Sequence, residues 1–520
     1  MLLQIKKIGD LYFTTENFVP SGGQILFAKV CFAIYLISLI FTTIYCLFQL
    51  QLWLKYRKYR KAHPTDPTLP IIADADLPVV TVQLPMFNEM YVAEKLIDVI
   101  VRFDYPKDKL EIHILDDSTD ETQTIAANKV QEYKDQGYKI EYIHRTNRQG
   151  YKAGALKEGM ERATGDFLAI FDADFEPHPD FLRKTIPYFL TDPKIGVVQT
   201  RWEHSNENYS MITKLQALQL NVHFTVEQMG RSAGDFLLQF NGTAGVWRRK
   251  TIEDAGGWEA DTLTEDLDLS YRAQMCGYRI MYLEKLGSPA ELPAEMNALK
   301  GQQHRWMKGG AESARKLLPS VWKSKVLSFW QKMQATGHLV SSSLFLFVFL
   351  LGVMSVPVMH TMHWIGIPKK FFSWFMAGFL SMVIVYYTAN INADIKGTSK
   401  EKLFWRFLGL YPLFLCLSMG LAFHNTIAVV QGWLGKKSEF VRTPKFNIRN
   451  ITDNVKKGNY IKTKLKWPTI MEGVLCLYFI LGILDGIIWN NTEFLIFHIM
   501  LALGYGSICF YSIKHMNMKA

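Results

Sequence analysis

No two of the six cysteines form a CxxC pair; Cys31, Cys46, Cys276, Cys416, Cys476 and Cys509 are scattered, mostly in apolar runs. That excludes a disulfide framework and the paired spacing of a zinc site, and leaves the thiols as packing groups. Acidic charge is in the minority. There are 58 Lys and Arg against 48 Asp and Glu, a net charge of +10. The basic excess does not indicate nucleic acid, because it stands beside apolar runs, as membrane topology requires. It also favours an anionic nucleotide substrate.

What is present divides into two unlike kinds of sequence, which a mean hydropathy of +0.02 conceals. Residues 64–320 are mixed and charged, while the flanks carry long apolar runs. Residues 25–50, with Lys29 their sole charge, exceed the roughly 20 apolar residues that cross a bilayer. The basic run Lys55, Arg57, Lys58, Arg60 and Lys61 behind them predicts a cytoplasmic end, and a cleaved leader is not expected. Further spans are predicted at 339–358, 371–392, 469–489 and 494–513. The stretch 404–431 holds Arg406, Pro412, His424 and Asn425 and is flanked on both sides by basic segments. A full span there would put one of those segments outside, so an interfacial helix is predicted. The expected organisation is 1–62 with one span, 63–312 as a cytosolic domain, 313–335 as an interfacial amphipathic helix, and 336–520 as a membrane region containing a loop at 432–467.

Within the cytosolic part, strand-length apolar runs at 79–84, 110–115, 140–142, 167–171 and 196–199 alternate with helical patterns such as 92–101 and 122–132. Alternation of this kind predicts a mainly parallel sheet with helices on both faces. Ligands of such sheets sit at the carboxyl ends of the strands. There the sequence places Asn88 and Glu89, then Asp116, Asp117 and Asp120, then Asp172 and Asp174. Acids crowded at one rim repel unless a cation stands among them. Asp172 and Asp174, two residues apart past a strand, can both reach one Mg²⁺ or Mn²⁺ that also binds a diphosphate. Lys152, between Gly150 and Gly154 at a loop-to-helix junction, suits phosphate, although the GxxxxGK[ST] spacing is absent. Asp266 is a candidate general base, Arg305 a phosphate ligand and Trp306 a platform for a sugar ring.

Taken together, Asp117, Asp172-Ala173-Asp174, Thr264-Glu265-Asp266 and Gln302-x-x-Arg305-Trp306 resemble the D, DxD, D, QxxRW set of processive family 2 glycosyltransferases. The similarity is greatest to the cellulose synthase-like mannan and glucan synthases, through the segments at 82–89, 115–120, 150–156, 170–175, 240–245 and 302–306. That resemblance implies a GT-A-like cytosolic domain joined to an α-helical membrane region. It implies that Pro85, Asn88, Glu89, Asp117, Lys152 and Asp172 bind the nucleotide sugar. Asp172 and Asp174 would hold the metal and Asp266 would be the catalytic base. Thr264, Glu265, Gln302, Arg305, Trp306, Phe240, Asn241 and Gly242 would line the acceptor and pyrophosphate site. Phe440, Thr443 and Lys445 resemble a gating loop, with departures at Arg442 and Pro444.

The implied activity is inverting, processive transfer of a hexose from UDP-glucose or GDP-mannose to a β-linked polysaccharide, with secretion through the membrane. Expected partners are the donor, the growing polysaccharide and the bilayer, with no nucleic acid. An accessory secretion protein or a homo-oligomer is compatible with this. The implied location is the plasma, inner or Golgi membrane, with the catalytic domain in the cytosol. Two other readings compete: single transfer to a lipid acceptor, and a non-catalytic sensor or transporter. The QxxRW motif and the spans after the catalytic domain weigh against the first, and the complete acid set against the second.

Overall fold

The computed structural model describes residues 19–63, 71–368, 371–372, 375–392, 398–438, 442–443, 445–448 and 465–516. Seven strands form one sheet in the order β3-β2-β1-β4-β6-β5-β7. They are β1 (Val80–Met86), β2 (Leu110–Asp116), β3 (Lys139–His144), β4 (Phe167–Ile170), β5 (Ile195–His204), β6 (Gly245–Arg248) and β7 (Arg279–Ala290). Pairings are parallel except for β6, which runs against both β4 and β5. Every residue of β2 is buried, as expected of a strand covered on both faces. The predicted strands are all present, within a few residues. β6 and β7 were not anticipated: β6 has four residues, and β7 carries Gly287 and Pro289 among charges.

Helices Ala93–Val101 and Thr122–Asp135 fall where periodicity put them. The amphipathic helix does not begin at 313. It runs from Met296 to Lys323, stops at Ser324, and restarts at Phe329 behind a capping box of Ser328 and Gln331. The expected boundary at 312 therefore falls inside a continuous helix, since nothing before Ser324 breaks the turn. Gln302, Arg305 and Trp306 ride on this helix.

Five helices among the described residues are long and apolar enough to cross a membrane: Gly22–Ala62, Phe329–Ile365, Lys400–Gly420, Trp467–Ile488 and Leu495–Met516. Their outer faces are bare hydrocarbon; Leu477 is 63% exposed and Ile496 73%. Such continuous apolar surface needs lipid or a partner. The predicted span 371–392 contains the helix Met376–Asn392, of 17 residues, which is not in that set. The predicted interfacial stretch 404–431 divides at Leu421 into Lys400–Gly420 and Ala422–Trp433. The first packs on the helix Met211–Asn221, and Arg406 pairs with Glu207 just before it. The second packs on Met296–Lys323, with Gly432 against the backbone of Lys308.

Candidate active site

At the carboxyl ends of β1, β2 and β4 the chain turns away and leaves a cavity of about 230 Å³. Two loops form its floor. Asn88, with φ +55°, donates its backbone N–H to Ser118 Oγ (2.7 Å), and its Oδ1 accepts from Thr119 N–H (2.8 Å). Its side chain thus ties the β1 loop to the β2 loop, and Asn88 is not among the residues lining the cavity. Asp117 lines it. Arg145 grips its carboxylate with two bonds, Nε to Oδ1 at 2.7 Å and Nη2 to Oδ2 at 2.6 Å. The same guanidinium donates to the carbonyls of Gln149 (3.2 Å) and Tyr151 (2.9 Å), so it also shapes the 145–151 loop.

That loop enters the helix Tyr151–Arg162 through Gly150, at φ +73°. A Cβ on Gly154 would lie 2.0 Å from Gln149 O, so only glycine fits there. The turn aims Lys152 across the cavity, where Nζ donates to Asp172 Oδ1 (2.5 Å) and Gly242 O (2.9 Å). Arg148 stacks its guanidinium on the Phe87 ring, 3.4 Å from the centroid.

Asp172 and Asp174 do not lie on extended backbone, as i and i+2 strand residues would. A turn closed by Phe175 N–H on Asp172 O (3.1 Å) carries them, and their carboxylates meet different lysines. Asp172 takes Lys152, while Asp174 Oδ2 takes Lys445 Nζ (2.6 Å) and the Glu291 N–H (3.1 Å). Two carboxylates already answered by cations are a hard-oxygen donor set that suits Mg²⁺ or Mn²⁺. Asp172, with its side chain 37% exposed, is the more open of the two. Among the described residues, a second group of acids, Glu259, Asp261 and Asp268, stands close enough to share a cation, and Lys316 bridges it at 2.5, 2.7 and 3.0 Å.

Asp266 stands in the first turn of the helix Glu265–Met275, just after Thr264 at the N-cap position. Its Oδ1 accepts from Leu267 N–H (2.8 Å), and its Oδ2 lies 3.1 Å from where a Gly242 Cβ would be. Gly242, at φ +77°, has no side chain, which keeps that oxygen clear. Burial, and then the Glu265 carboxylate, push Asp266 up to about 7. Glu265 is also raised, by burial, against the pull of Lys152. Gln302, Arg305 and Trp306 also line the cavity. Arg305 Nη2 donates to Thr443 Oγ1 (2.8 Å), and burial lowers its guanidinium to about 10, still cationic at neutral pH.

Residues 442–443 and 445–448 close one side. Arg442 Nη1 lies 2.9 Å from Glu89 Oε2, and burial holds Glu89 up to about 8 despite that arginine. Lys445 also donates to Glu291 O (2.6 Å), while Glu291 Oε1 and Oε2 accept the N–H groups of Phe446 (3.1 Å) and Ile448 (3.3 Å). Phe440 lies outside the described residues.

Pro85, Asn241, Gly242 and Thr264 reach the cavity as expected. Phe240 does not. It is fully buried, edge to face with Trp247 at 5.4 Å, because the turn after it sends Asn241 inward instead. Sequence reasoning missed Arg145, Glu291, Trp202 and His204. Arg145 and Glu291 act through contacts distant in sequence, and Trp202 and His204 lie at the end of β5, beyond a register shift between Thr200 and Arg201. The alternation of Trp202 and His204 at the end of a strand was the one available signal.

A family model described as "Glycosyltransferase like family 2" matches residues 78–309. The rice (Oryza sativa subsp. japonica) protein named "Probable glucomannan 4-beta-mannosyltransferase 4" is 35% identical over 76% of this chain and 69% of its own length. The Arabidopsis thaliana protein named "Glucomannan 4-beta-mannosyltransferase 2" is 42% identical over 50% of each chain. The chain thus spans about half the length of that second relative. Among solved structures, a mannosyltransferase of Pyrobaculum calidifontis in complex with GDP-Man and Mn²⁺ aligns at 19% identity and a TM-score of 0.48, over 78% of this chain and 100% of that one.

Proposed function

The chain belongs to the family 2 glycosyltransferases, close to the cellulose synthase-like mannan synthases, and we propose that it is an inverting, processive hexosyltransferase. It takes the hexose from a nucleotide-diphosphate sugar, UDP-glucose or GDP-mannose, and builds a β-1,4-linked polysaccharide. The observation that carries this reading is the buried Asp266, held at about 7 in the cavity that Lys152 and Arg305 also line. A carboxylate with that affinity for protons is ionised for much of the time at neutral pH and still basic enough to take one.

The acceptor hydroxyl gives its proton to Asp266 as its oxygen bonds to the anomeric carbon. The bond from that carbon to the diphosphate breaks with its electron pair, and configuration inverts. Lys152 and Arg305 lie where negative charge grows on the departing diphosphate. Asp172 and Asp174 would hold Mg²⁺ or Mn²⁺, which would neutralise the diphosphate further. Asp117 and Arg145 form the nucleoside end, with Pro85 beside them. Thr443 and Lys445 would close over the donor site, in the manner of a gate.

The catalytic part faces the cytosol, where nucleotide sugars occur. The pairing of Arg406 with Glu207 supports Lys400–Gly420 lying along the membrane surface beside the catalytic part. The remaining long helices would carry the polymer outward.

The test uses membranes containing the full chain, with labelled UDP-glucose or GDP-mannose and Mg²⁺ or Mn²⁺. The product is sized and digested with β-1,4-mannanase and β-1,4-glucanase. A long, digestible polymer, lost in Asp266→Asn, supports the proposal. A short product extracted into organic solvent refutes processive synthesis in favour of transfer to lipid.

A further inference from the structure

Asn241 lines the cavity next to Gly242, whose missing side chain leaves room for Asp266, and it is held at two points. Its backbone N–H donates to Gln199 Oε1 (2.9 Å), and its side-chain Oδ1 lies 2.9 Å from His223 Nε2. The other arm of the amide, Nδ2, is buried and has no hydrogen-bond partner among the described residues. A buried amide N–H without a partner costs about 1–3 kcal/mol, so one on a cavity-lining residue calls for a group that answers it.

His223 is fixed in turn. Its Nδ1 lies 2.9 Å from Glu227 Oε2, and Glu227 Oε1 accepts from Gln49 Nε2 (2.6 Å) on the long apolar helix Gly22–Ala62. Arg231 stands 3.7 Å from the same carboxylate. His223 and Glu227 belong to Val222–Glu227, a wide π-helical turn inside an otherwise α-helical run, a distortion that is kept in proteins mostly where function needs it. Burial would raise Glu227, but the hydrogen bond from His223 and the Arg231 charge prevail and hold it at about 2.

We infer that Glu227 and His223 are positioning residues that hold one arm of the Asn241 amide and so present its other arm to a hydroxyl of the acceptor sugar beside Asp266. The chain of contacts begins on a membrane helix and ends on the acceptor, so acceptor recognition is tied to the seating of the catalytic part on that helix. The inference rests on the proposed glycosyl transfer and goes beyond it by naming which side of the reaction these two residues serve.

The experiment measures, in one sample of the full chain, how much sugar nucleotide is hydrolysed and how much is transferred to added mannotetraose or cellotetraose. Asn241→Ala, His223→Ala and Glu227→Gln are each expected to lower the ratio of transfer to hydrolysis about tenfold or more, the scale of one lost buried hydrogen bond. His223→Ala made on top of Asn241→Ala is expected to cost nothing further, since the two act as one unit. An unchanged ratio in His223→Ala overturns the inference, as do losses that multiply in the double variant. Loss of hydrolysis together with transfer also overturns it, because the pair would then serve the whole site. An unaltered protein that neither hydrolyses nor transfers from any sugar nucleotide refutes the function itself, and the inference with it, before any variant is made.

Discussion

Replacing Glu265 with glutamine isolates the second of the two causes that keep Asp266 protonated so far above the ordinary aspartate value of 3.8. Burial stays, and the like charge goes. One neighbouring charge in a partly screened site is worth about one pKa unit, or ~1.4 kcal/mol. The acid limb of the pH–rate profile, set by the fraction of Asp266 ready to accept a proton, therefore shifts down by about that much. With the midpoint near 7, about a tenth of the carboxyl is ionised at pH 6; with it near 6, about half is. Activity at pH 6, relative to each protein's own plateau, should rise about fivefold in Glu265→Gln, whatever happens to the plateau. The assay is initial transfer rate between pH 5 and 9 at saturating donor. An unmoved limb, or one displaced upward, refutes the assignment of Asp266 as a base raised by Glu265. The same linkage has a stability side. The folded carboxyl keeps its proton where the unfolded chain has released it, between about 4 and about 7. Stability is therefore lost as pH rises through that window, by up to about 4 kcal/mol above it. Asp266→Asn should abolish transfer and raise the melting temperature at pH 8, with no gain at pH 4; an equal gain at both would contradict the argument.

Arg145→Met strands the buried Asp117 carboxylate and should cost about 3–5 kcal/mol, read as a fall in melting temperature together with loss of nucleotide protection against thermal unfolding. Gly154→Ala drives a methyl into Gln149 O and should remove nucleotide binding by displacing the 145–151 loop; normal binding would show that the loop yields. Glu291→Ala leaves the N–H groups of Phe446 and Ile448 without acceptors, at about 1–3 kcal/mol each, and should speed amide hydrogen exchange at 446–448 without altering the sheet. Lys445→Met removes the cation from Asp174 and should strengthen Mn²⁺ binding measured by calorimetry in the absence of donor, whereas Asp174→Asn should weaken it.

The parts legible in the sequence were those with a local cause. Strand-length apolar runs became β1 to β5, because a strand buried on both faces must be apolar along its length. Acids placed immediately after those runs had to gather at one rim, since parallel strands end on the same side. Asp117, Asp172 and Asp174 line one cavity for that reason, and Asp266 joins them from the first turn of the helix Glu265–Met275. The long apolar helices were legible because hydrocarbon length is a local property. Only the tertiary structure could decide which cation answers which acid. Arg145 meets Asp117 from 28 residues away and Lys445 meets Asp174 from 271 away. It also decided that residues 172–175 turn rather than extend, and that Phe240 packs inward while Asn241 faces the cavity. The raised pKa of Asp266 belongs to the same class. A carboxyl group in sequence is ordinary; it becomes a base near neutrality only when folding removes its water and sets Glu265 beside it.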